Sequence, residues 1–147
     1  MNETILDDFC ICRELIDETR MRVILFRAKR KDNGKWVYGN YTFADNNGQQ
    51  HFVFQNKAFE FEVDPKTVGQ YTGLTDKNGT KIFEGDIVHF KTTAYHFKNC
   101  RIKYQSCYAR YCAIDNKGYE YPMDKAFEYE VIGNIHDTPE LLRSDTE

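Results

Sequence analysis

The residues most suited to contacting a ligand lie between positions 91 and 111, where cationic and aromatic side chains alternate and acidic residues are absent. Small β-barrels bind single-stranded nucleic acid by combining a cationic groove with rings on which the bases stack. The residues of this kind in the segment are Lys98, Arg101, Lys103, Tyr104, Tyr108 and Arg110. Because the same alternation also keeps an exposed strand soluble, nucleic-acid binding is the alternative hypothesis and not the preferred one.

A metal site is the next chemistry to consider, because the same part of the chain is rich in soft ligands. They are His89, His96, Cys100, Cys107 and Cys112. Their spacing differs from the close cysteine pairs that are typical of a tetrahedral zinc site. Cys10 and Cys12 lie two positions apart on a predicted helix and would point in nearly opposite directions. The pattern favours buried, unreactive thiols, and we expect neither a metal nor another cofactor.

Catalytic motifs are the third kind of chemistry for which the sequence can be searched. It contains no nucleophile elbow, no metalloprotease helix and no glycine-rich phosphate loop between a strand and a helix. Glu84 and Asp86 could face the same way on a strand, as the carboxylates of a glycosidase do. Gly85 between them is more typical of a turn. We therefore expect a protein without enzymatic activity.

The composition predicts one compact domain that is rich in strands. The chain has 147 residues, of which 15% are aromatic, and flat rings pack well on the pleated surface of a sheet. No apolar run is long enough to span a bilayer, and the acidic start is unlike a signal peptide, so we expect no membrane partner. Five cysteines, an odd number without a framework spacing, indicate reduced thiols in a cytoplasmic compartment.

Charge is distributed along the chain in blocks of opposite sign. Six acidic and two basic residues give residues 1–20 a charge of −4, whereas five basic residues and no acidic one give residues 87–114 a charge of +5. Such blocks favour association by electrostatic complementarity, either within the fold or between subunits. This distribution predicts a homo-oligomer or binding to another protein.

The order of apolar residues and turns predicts a mainly β fold of short antiparallel strands between two helical pieces. Residues 1–20 are predicted as a helix because apolar residues recur there at spacings of three and four. Turn residues then recur at intervals suited to hairpins. Residues 100–104 could pair with residues 108–114, although the turn between them lacks glycine. At residues 138–142, a Thr followed by Pro predicts one short helical turn.

The stretch from Gly69 to Val88, GQYTGLTDKNGTKIFEGDIV, resembles the signature of the YopX protein family of phages and prophages. The resemblance extends to the strand containing Trp36 and to residues 129–135. It implies an all-β fold whose C-terminal half is an SH3-like barrel, and it implies no particular activity. The predicted organisation is a helical extension at 1–20, a YopX-like β domain at 21–142, divisible into 21–63 and 64–142, and a tail at 143–147.

The signature itself has a mainly structural interpretation. Its closely spaced glycines suit tight turns or close backbone approach, and its carboxylates can accept hydrogen bonds from backbone N–H groups. The residues singled out are Gly69, Tyr71, Gly73, Asp76, Gly79, Glu84, Gly85 and Asp86. Four of them could offer a polar side chain to a ligand: Tyr71, Asp76, Glu84 and Asp86.

Together these patterns predict a non-enzymatic accessory protein of a phage or prophage, located in the cytoplasm of the bacterial host cell. Its expected partners are a second copy of itself or a bacterial or phage protein. The alternative is a small barrel that binds single-stranded nucleic acid through residues 91–111.

Overall fold

The computed structural model describes residues 22–44, 50–56, 59–93 and 96–143. The predicted helix at residues 1–20 and most of the predicted tail lie outside these ranges. Within them the chain is built of antiparallel strands and short 3-10 helices, so the mainly β class predicted from the sequence is confirmed.

The first sheet has six strands in the order β4-β3-β2-β1-β5-β6. Its strands are β1 (Phe26–Lys29), β2 (Trp36–Ala44), β3 (Gln50–Asn56), β4 (Phe59–Glu62), β5 (Gly69–Thr75) and β6 (Lys81–Phe83). A 3-10 helix, Pro65–Thr67, connects β4 to β5, and Asp64 caps it by accepting a hydrogen bond from the backbone N–H of Lys66. The first sheet therefore contains strands from both sides of residue 64: β1 to β4 precede it, and β5 and β6 follow it, ending at Phe83.

The second sheet has five strands in the order β10-β9-β8-β7-β11. Its strands are β7 (Asp86–Thr93), β8 (His96–Gln105), β9 (Arg110–Ile114), β10 (Glu120–Pro122) and β11 (Tyr129–Asn134). In the part of the chain that is described, β10 and β11 are the two edges and do not pair with each other. The sheet is therefore open, and the SH3-like barrel is not confirmed.

The hairpin of β8 and β9 contains the pairing expected between residues 100–104 and 108–114. Arg101 lies opposite Ile114 and Tyr104 opposite Tyr111. The turn between the strands places Ala109 at a φ of 53°, in the left-handed region where glycine is usual. The absent glycine therefore leaves a strained alanine and does not prevent the hairpin.

The main core lies on one face of the second sheet. Its fully buried members alternate along the strands, as residues that share one face of a sheet do. They are Val88, Phe90, Cys100, Ile102, Ala113 and Tyr129, joined by Ile82 from the first sheet. A smaller cluster of Ala28, Val37 and Val63 lies in the first sheet. Since Ile82 on β6 packs into the larger cluster, the end of the first sheet is part of the core of the second.

A 3-10 helix, Pro139–Leu142, lies where the sequence predicts a short helical turn. Thr138 precedes it but does not cap it through its side chain. Its hydroxyl instead accepts a hydrogen bond from the backbone N–H of Asn134, at 3.1 Å. A Cβ at Gly133 would lie 2.1 Å from that hydroxyl, so the close approach of the helix to β11 requires glycine there. Neither short helix of the described chain has the length and apolarity needed to cross a membrane.

Candidate functional site

The signature segment connects the two sheets, and Asp86 is its most buried polar residue. The Oδ2 atom of Asp86 accepts a hydrogen bond of 2.7 Å from the backbone N–H of Phe83. Its Oδ1 atom lies 2.7 Å from Nη2 of Arg27 on β1, and the two side chains are only 2% and 8% exposed. Burial raises the pKa of Asp86, although the charge of Arg27 acts in the opposite direction.

The guanidinium of Arg27 lies between two aromatic rings. Its central carbon is 4.5 Å from the ring centroid of Trp36 and 4.9 Å from that of Phe83. Within the described chain, the Nε and Nη2 atoms of Arg27 make no hydrogen bond of good geometry. Nη2 contacts Asp86 as an ion pair, and the two rings cover the rest of the guanidinium. The contact joins β1 to the start of β7.

Asp76 makes the second connection between the sheets. Its Oδ1 atom accepts hydrogen bonds of 2.9 Å from the backbone N–H groups of Asn78 and Thr80, and its Oδ2 atom accepts one of 3.0 Å from Val131 on β11. Burial acts to raise the pKa of Asp76, but these backbone donors outweigh it and lower the pKa. The turn between β5 and β6 thereby covers the edge strand β11.

Two glycines of the signature, Gly69 and Gly85, allow chain segments to approach each other closely. A Cβ at Gly69 would lie 2.5 Å from the backbone oxygen of Glu84. Gly85, at a φ of 93°, donates a hydrogen bond to Ile102 and accepts one from Ile135, at 2.8 and 2.9 Å. Tyr71 is buried with its ring 5.7 Å from that of Phe83. Gly73 and Gly79 are exposed, in β5 and in the following turn.

Glu84 differs from the other signature residues because its carboxylate makes no hydrogen bond or ion pair with any described residue. The half-buried side chain faces a pocket of about 360 Å³ between the first sheet and the hairpin of β8 and β9. Gln70 and Thr72 of β5 line the same side. We call this cavity the hairpin pocket; its volume is in the range of ligand sites.

The hairpin supplies the other wall of the hairpin pocket. Tyr104, Ala109, Arg110 and Tyr111 line it, together with Arg22, the first described residue of the chain. The rings of Tyr104 and Tyr111 meet edge to face, with centroids 5.1 Å apart. Burial, followed by the nearby charge of Glu84, raises the pKa of Tyr111. The pocket thus combines two cations, one carboxylate and two tyrosines.

The tip of the hairpin carries the most exposed aromatic residue of this region. Tyr108 is 61% exposed, and the guanidinium carbon of Arg110 lies 4.5 Å from its ring centroid. Tyr104, at 40%, is exposed beside it. Three of the six residues proposed from the sequence as nucleic-acid contacts therefore lie together at this end of the second sheet.

The other three do not share that surface. Lys98 is 14% exposed, and its Nζ atom lies 3.9 Å from the buried Oδ2 atom of Asp115. Its ammonium group therefore pairs with a carboxylate of the fold instead of facing a ligand. Arg101 is half-buried and Lys103 is exposed. Because neighbouring residues of a strand point to opposite faces, these two lie on the face opposite Tyr104. Arg110, which pairs with Gln105, starts on that face as well, but its guanidinium contacts Tyr108 at the hairpin tip. The structure does not form one groove from all six residues.

The partners of the signature residues carry no local signal in the sequence. Nothing local in the sequence marks Arg27 on β1 or indicates that Asp86 pairs with it. Asp137 was not considered. It accepts a hydrogen bond of 2.9 Å from the indole Nε1 of Trp36 and forms an ion pair with Lys29. These bonds hold the pKa of Asp137 well below its usual range.

The soft ligands do not assemble into a metal centre in the described part of the chain, where no group of three or more His, Cys, Asp or Glu side chains is placed to hold an ion. Cys100 and Cys112 are buried, and Cys107 is exposed in the hairpin turn. The Nδ1 atom of His89 is 2.7 Å from the side-chain oxygen of Asn99. Cys10 and Cys12 lie outside the described residues.

The chain matches a family model and a solved structure. The family model described as YopX protein matches residues 25–143. The crystal structure of protein EF1440 from Enterococcus faecalis is similar, with 28% sequence identity over 83% of this chain and 99% of that chain and a TM-score of 0.46. None of the curated proteins matches the chain. Since the family model covers most of the sequence, including the whole signature, the chain belongs to the YopX protein family.

Proposed function

We propose that this protein is a non-catalytic binding module of a phage or prophage, and that it binds a second copy of itself or a bacterial or phage protein through the hairpin pocket. The observation that carries the proposal is the composition of that surface. Tyrosine and arginine are the residue types that contribute most to protein interfaces. Here Tyr104 and Arg110 are exposed and line the pocket, and Tyr108 is exposed beside Arg110 at the hairpin tip.

The frame behind the pocket also supports binding. Glu84 lies between Gly85, which hydrogen-bonds to the second sheet, and β6, which packs into its core. The pocket is therefore bordered by two sheets that the Arg27–Asp86 ion pair holds together. A surface that is already ordered loses little conformational entropy when a partner binds, and this favours affinity.

A non-enzymatic role is supported by where the shifted carboxylates lie. Asp76 and Asp137 have lowered pKa values because they accept hydrogen bonds that hold chain segments together. Asp86, whose pKa is raised, is paired with Arg27. Catalytic sites gather such groups around one cavity. Here Asp86 lines a separate cavity of about 420 Å³ together with Arg27, and none of the three lines the hairpin pocket.

Affinity capture from the bacterial host tests the proposal. The wild-type protein and a Tyr104→Ser/Arg110→Ser variant serve as baits. A Lys117→Ser/Tyr119→Ser variant is the matched control, because these residues are an exposed cation and an exposed tyrosine in the turn after β9, away from the pocket. We expect the pocket variant alone to lose the captured protein or its own self-association in sedimentation. Equal retention by all three baits would contradict the proposal.

Single-stranded nucleic acid is the second candidate, because Arg110 stacks on an exposed Tyr108 next to Tyr104. Labelled single-stranded DNA and RNA are titrated at two salt concentrations, since binding through phosphates must weaken steeply with salt. We expect any such binding to need Arg110 and to be insensitive to Lys98→Ala. Absence of binding at low salt removes this candidate.

The finer sequence predictions stay proposals of the same kind. They are the SH3-like barrel in the C-terminal half, the helix at residues 1–20, the homo-oligomer and the location in the cytoplasm of a bacterial host cell. The location and the oligomer are supported by the cysteine count and by the charge blocks.

A further inference from the structure

We propose that the hairpin pocket binds the acidic N-terminal segment of this chain, residues 1–20. This inference rests on the pocket of the proposed function and names a segment of this chain as its occupant, bound within one chain or between two copies.

The first argument is the unbalanced charge of the pocket. Arg22 and Arg110 both line it, and neither guanidinium forms an ion pair with another residue of the described chain. Glu84 supplies a single carboxylate on the opposite wall. An occupant with several carboxylates therefore gains more from the two arginines than it loses to the one glutamate.

The second argument is the composition of residues 1–20. This segment has a charge of −4, with acidic residues on both sides of an apolar series. The apolar residues recur at spacings of three and four: Ile5, Leu6, Phe9, Cys12, Leu15 and Ile16. Such an amphipathic segment needs an apolar surface to cover, and the exposed rings of Tyr104 and Tyr108 provide one next to the arginines.

The third argument is proximity. Only Met21 separates the segment from Arg22, which itself lines the pocket. Val23 and Ile24, which follow directly, are 60% and 57% exposed and extend the apolar surface at this point. A tether this short gives an effective concentration on the order of millimolar, so that weak contacts suffice for occupancy.

The cysteines of the chain provide the test. Cys107 is exposed in the hairpin turn, whereas Cys100 and Cys112 are buried. Cys10 and Cys12 lie within the proposed occupant. The full-length protein is treated with a short bis-maleimide, which tolerates a wider range of distances than a disulfide, and cross-linked peptides are mapped by mass spectrometry.

We expect a cross-link from Cys107 to Cys10 or Cys12, within one chain or between two, as the mass of the product shows. Arg22→Glu/Arg110→Glu should reduce its yield at least about fivefold, as should high salt, because charge pairs at an exposed site are screened. Lys35→Glu/Lys117→Glu, which reverses two exposed charges outside the pocket, should leave the yield unchanged.

Two results would overturn the inference. One is a Cys107 that reacts with a mono-functional maleimide but does not cross-link to Cys10 or Cys12. The other is a cross-link whose yield is the same in the pocket and control variants. If the cross-link is absent while Tyr104→Ser/Arg110→Ser still loses a captured host protein, this inference fails and the proposed function stands. If the Tyr104→Ser/Arg110→Ser variant still captures the host protein and the cross-link depends on charge, this inference stands and the proposed function fails. Near-UV circular dichroism of each variant verifies that it is folded.

Discussion

Arg27 on β1 and Asp86 at the start of β7 form an ion pair that joins the two sheets across a buried interface. The Nη2 and Oδ1 atoms are 2.7 Å apart, and both side chains are almost completely removed from water. Two charges taken out of water each carry a desolvation penalty, so each is tolerated only while the other is present. The pair therefore makes the packing of the sheets specific.

Replacing one member of this pair should be more harmful than replacing both. Arg27→Met leaves an unpaired buried carboxylate and should lower the free energy of unfolding by about 3–5 kcal/mol. The double variant Arg27→Met/Asp86→Leu should lose less, because it leaves no buried charge. Urea unfolding followed by circular dichroism measures both. The comparison is Lys31→Met, which breaks the exposed pair with Glu62 and should cost less than about 1 kcal/mol. Equal losses in the single and double variants would contradict this account.

Asp137 should make the fold sensitive to acid. Its pKa is held low by hydrogen bonds from the side chains of Lys29, Trp36 and Asn134. The native state therefore binds fewer protons than the unfolded chain, whose Asp titrates near pH 3.9. The stabilisation is present above that pH and is lost as the pH falls. Asp137→Asn should flatten the decline of unfolding free energy between about pH 5 and pH 3.

Asp86 gives the opposite sign and serves as the control for that experiment. Because its folded-state pKa is raised, the native state binds more protons than the unfolded chain. The contribution of Asp86 to stability is fully present below its pKa in the unfolded chain, and it decreases as the pH rises through its pKa in the folded protein. Asp86→Asn should therefore steepen the acid decline, whereas Asp137→Asn flattens it. The same slope in both variants would show that neither carboxylate is responsible.

Ala109 is a position where a substitution should stabilise the protein. Its φ of 53° is unfavourable for a residue with a Cβ. Ala109→Gly should relieve this strain and raise the free energy of unfolding by up to about 1 kcal/mol, while Ala109→Val should lower it. Thermal unfolding of the three proteins measures the order. If glycine destabilises the hairpin, the strained conformation is not the one in solution.

Lys98 and Lys103 belong to the same strand and should respond differently to removal. Lys98→Ala leaves the buried Oδ2 atom of Asp115 without its nearest cation, and we expect a loss of about 1–3 kcal/mol. Lys103→Ala changes an exposed residue and should alter stability by no more than about 0.5 kcal/mol. Chemical unfolding measures this difference. If both substitutions change stability equally, Lys98 points to solvent and is again a candidate for contacting nucleic acid.

Local patterns were sufficient for part of this structure. Alternating residues and turn signals predicted antiparallel strands, the pairing of β8 with β9 and the turn at residues 138–142. These features depend on residues near one another in the chain, whose backbone preferences and side-chain directions are set by short-range sterics. The signature likewise identified the family, because it is one continuous stretch.

The sequence by itself therefore determined the strand class, the pairing of β8 with β9 and the family. Only the tertiary structure decided that Arg27 meets Asp86, that Lys98 turns inward to Asp115, and that Glu84 faces the hairpin across a pocket. Each of these contacts joins residues that are distant in the sequence. The register and packing of the sheets select them from many partners of equal local suitability. Charge and burial are properties of the assembled fold, so the direction in which a cation points is known only once its neighbours are in place.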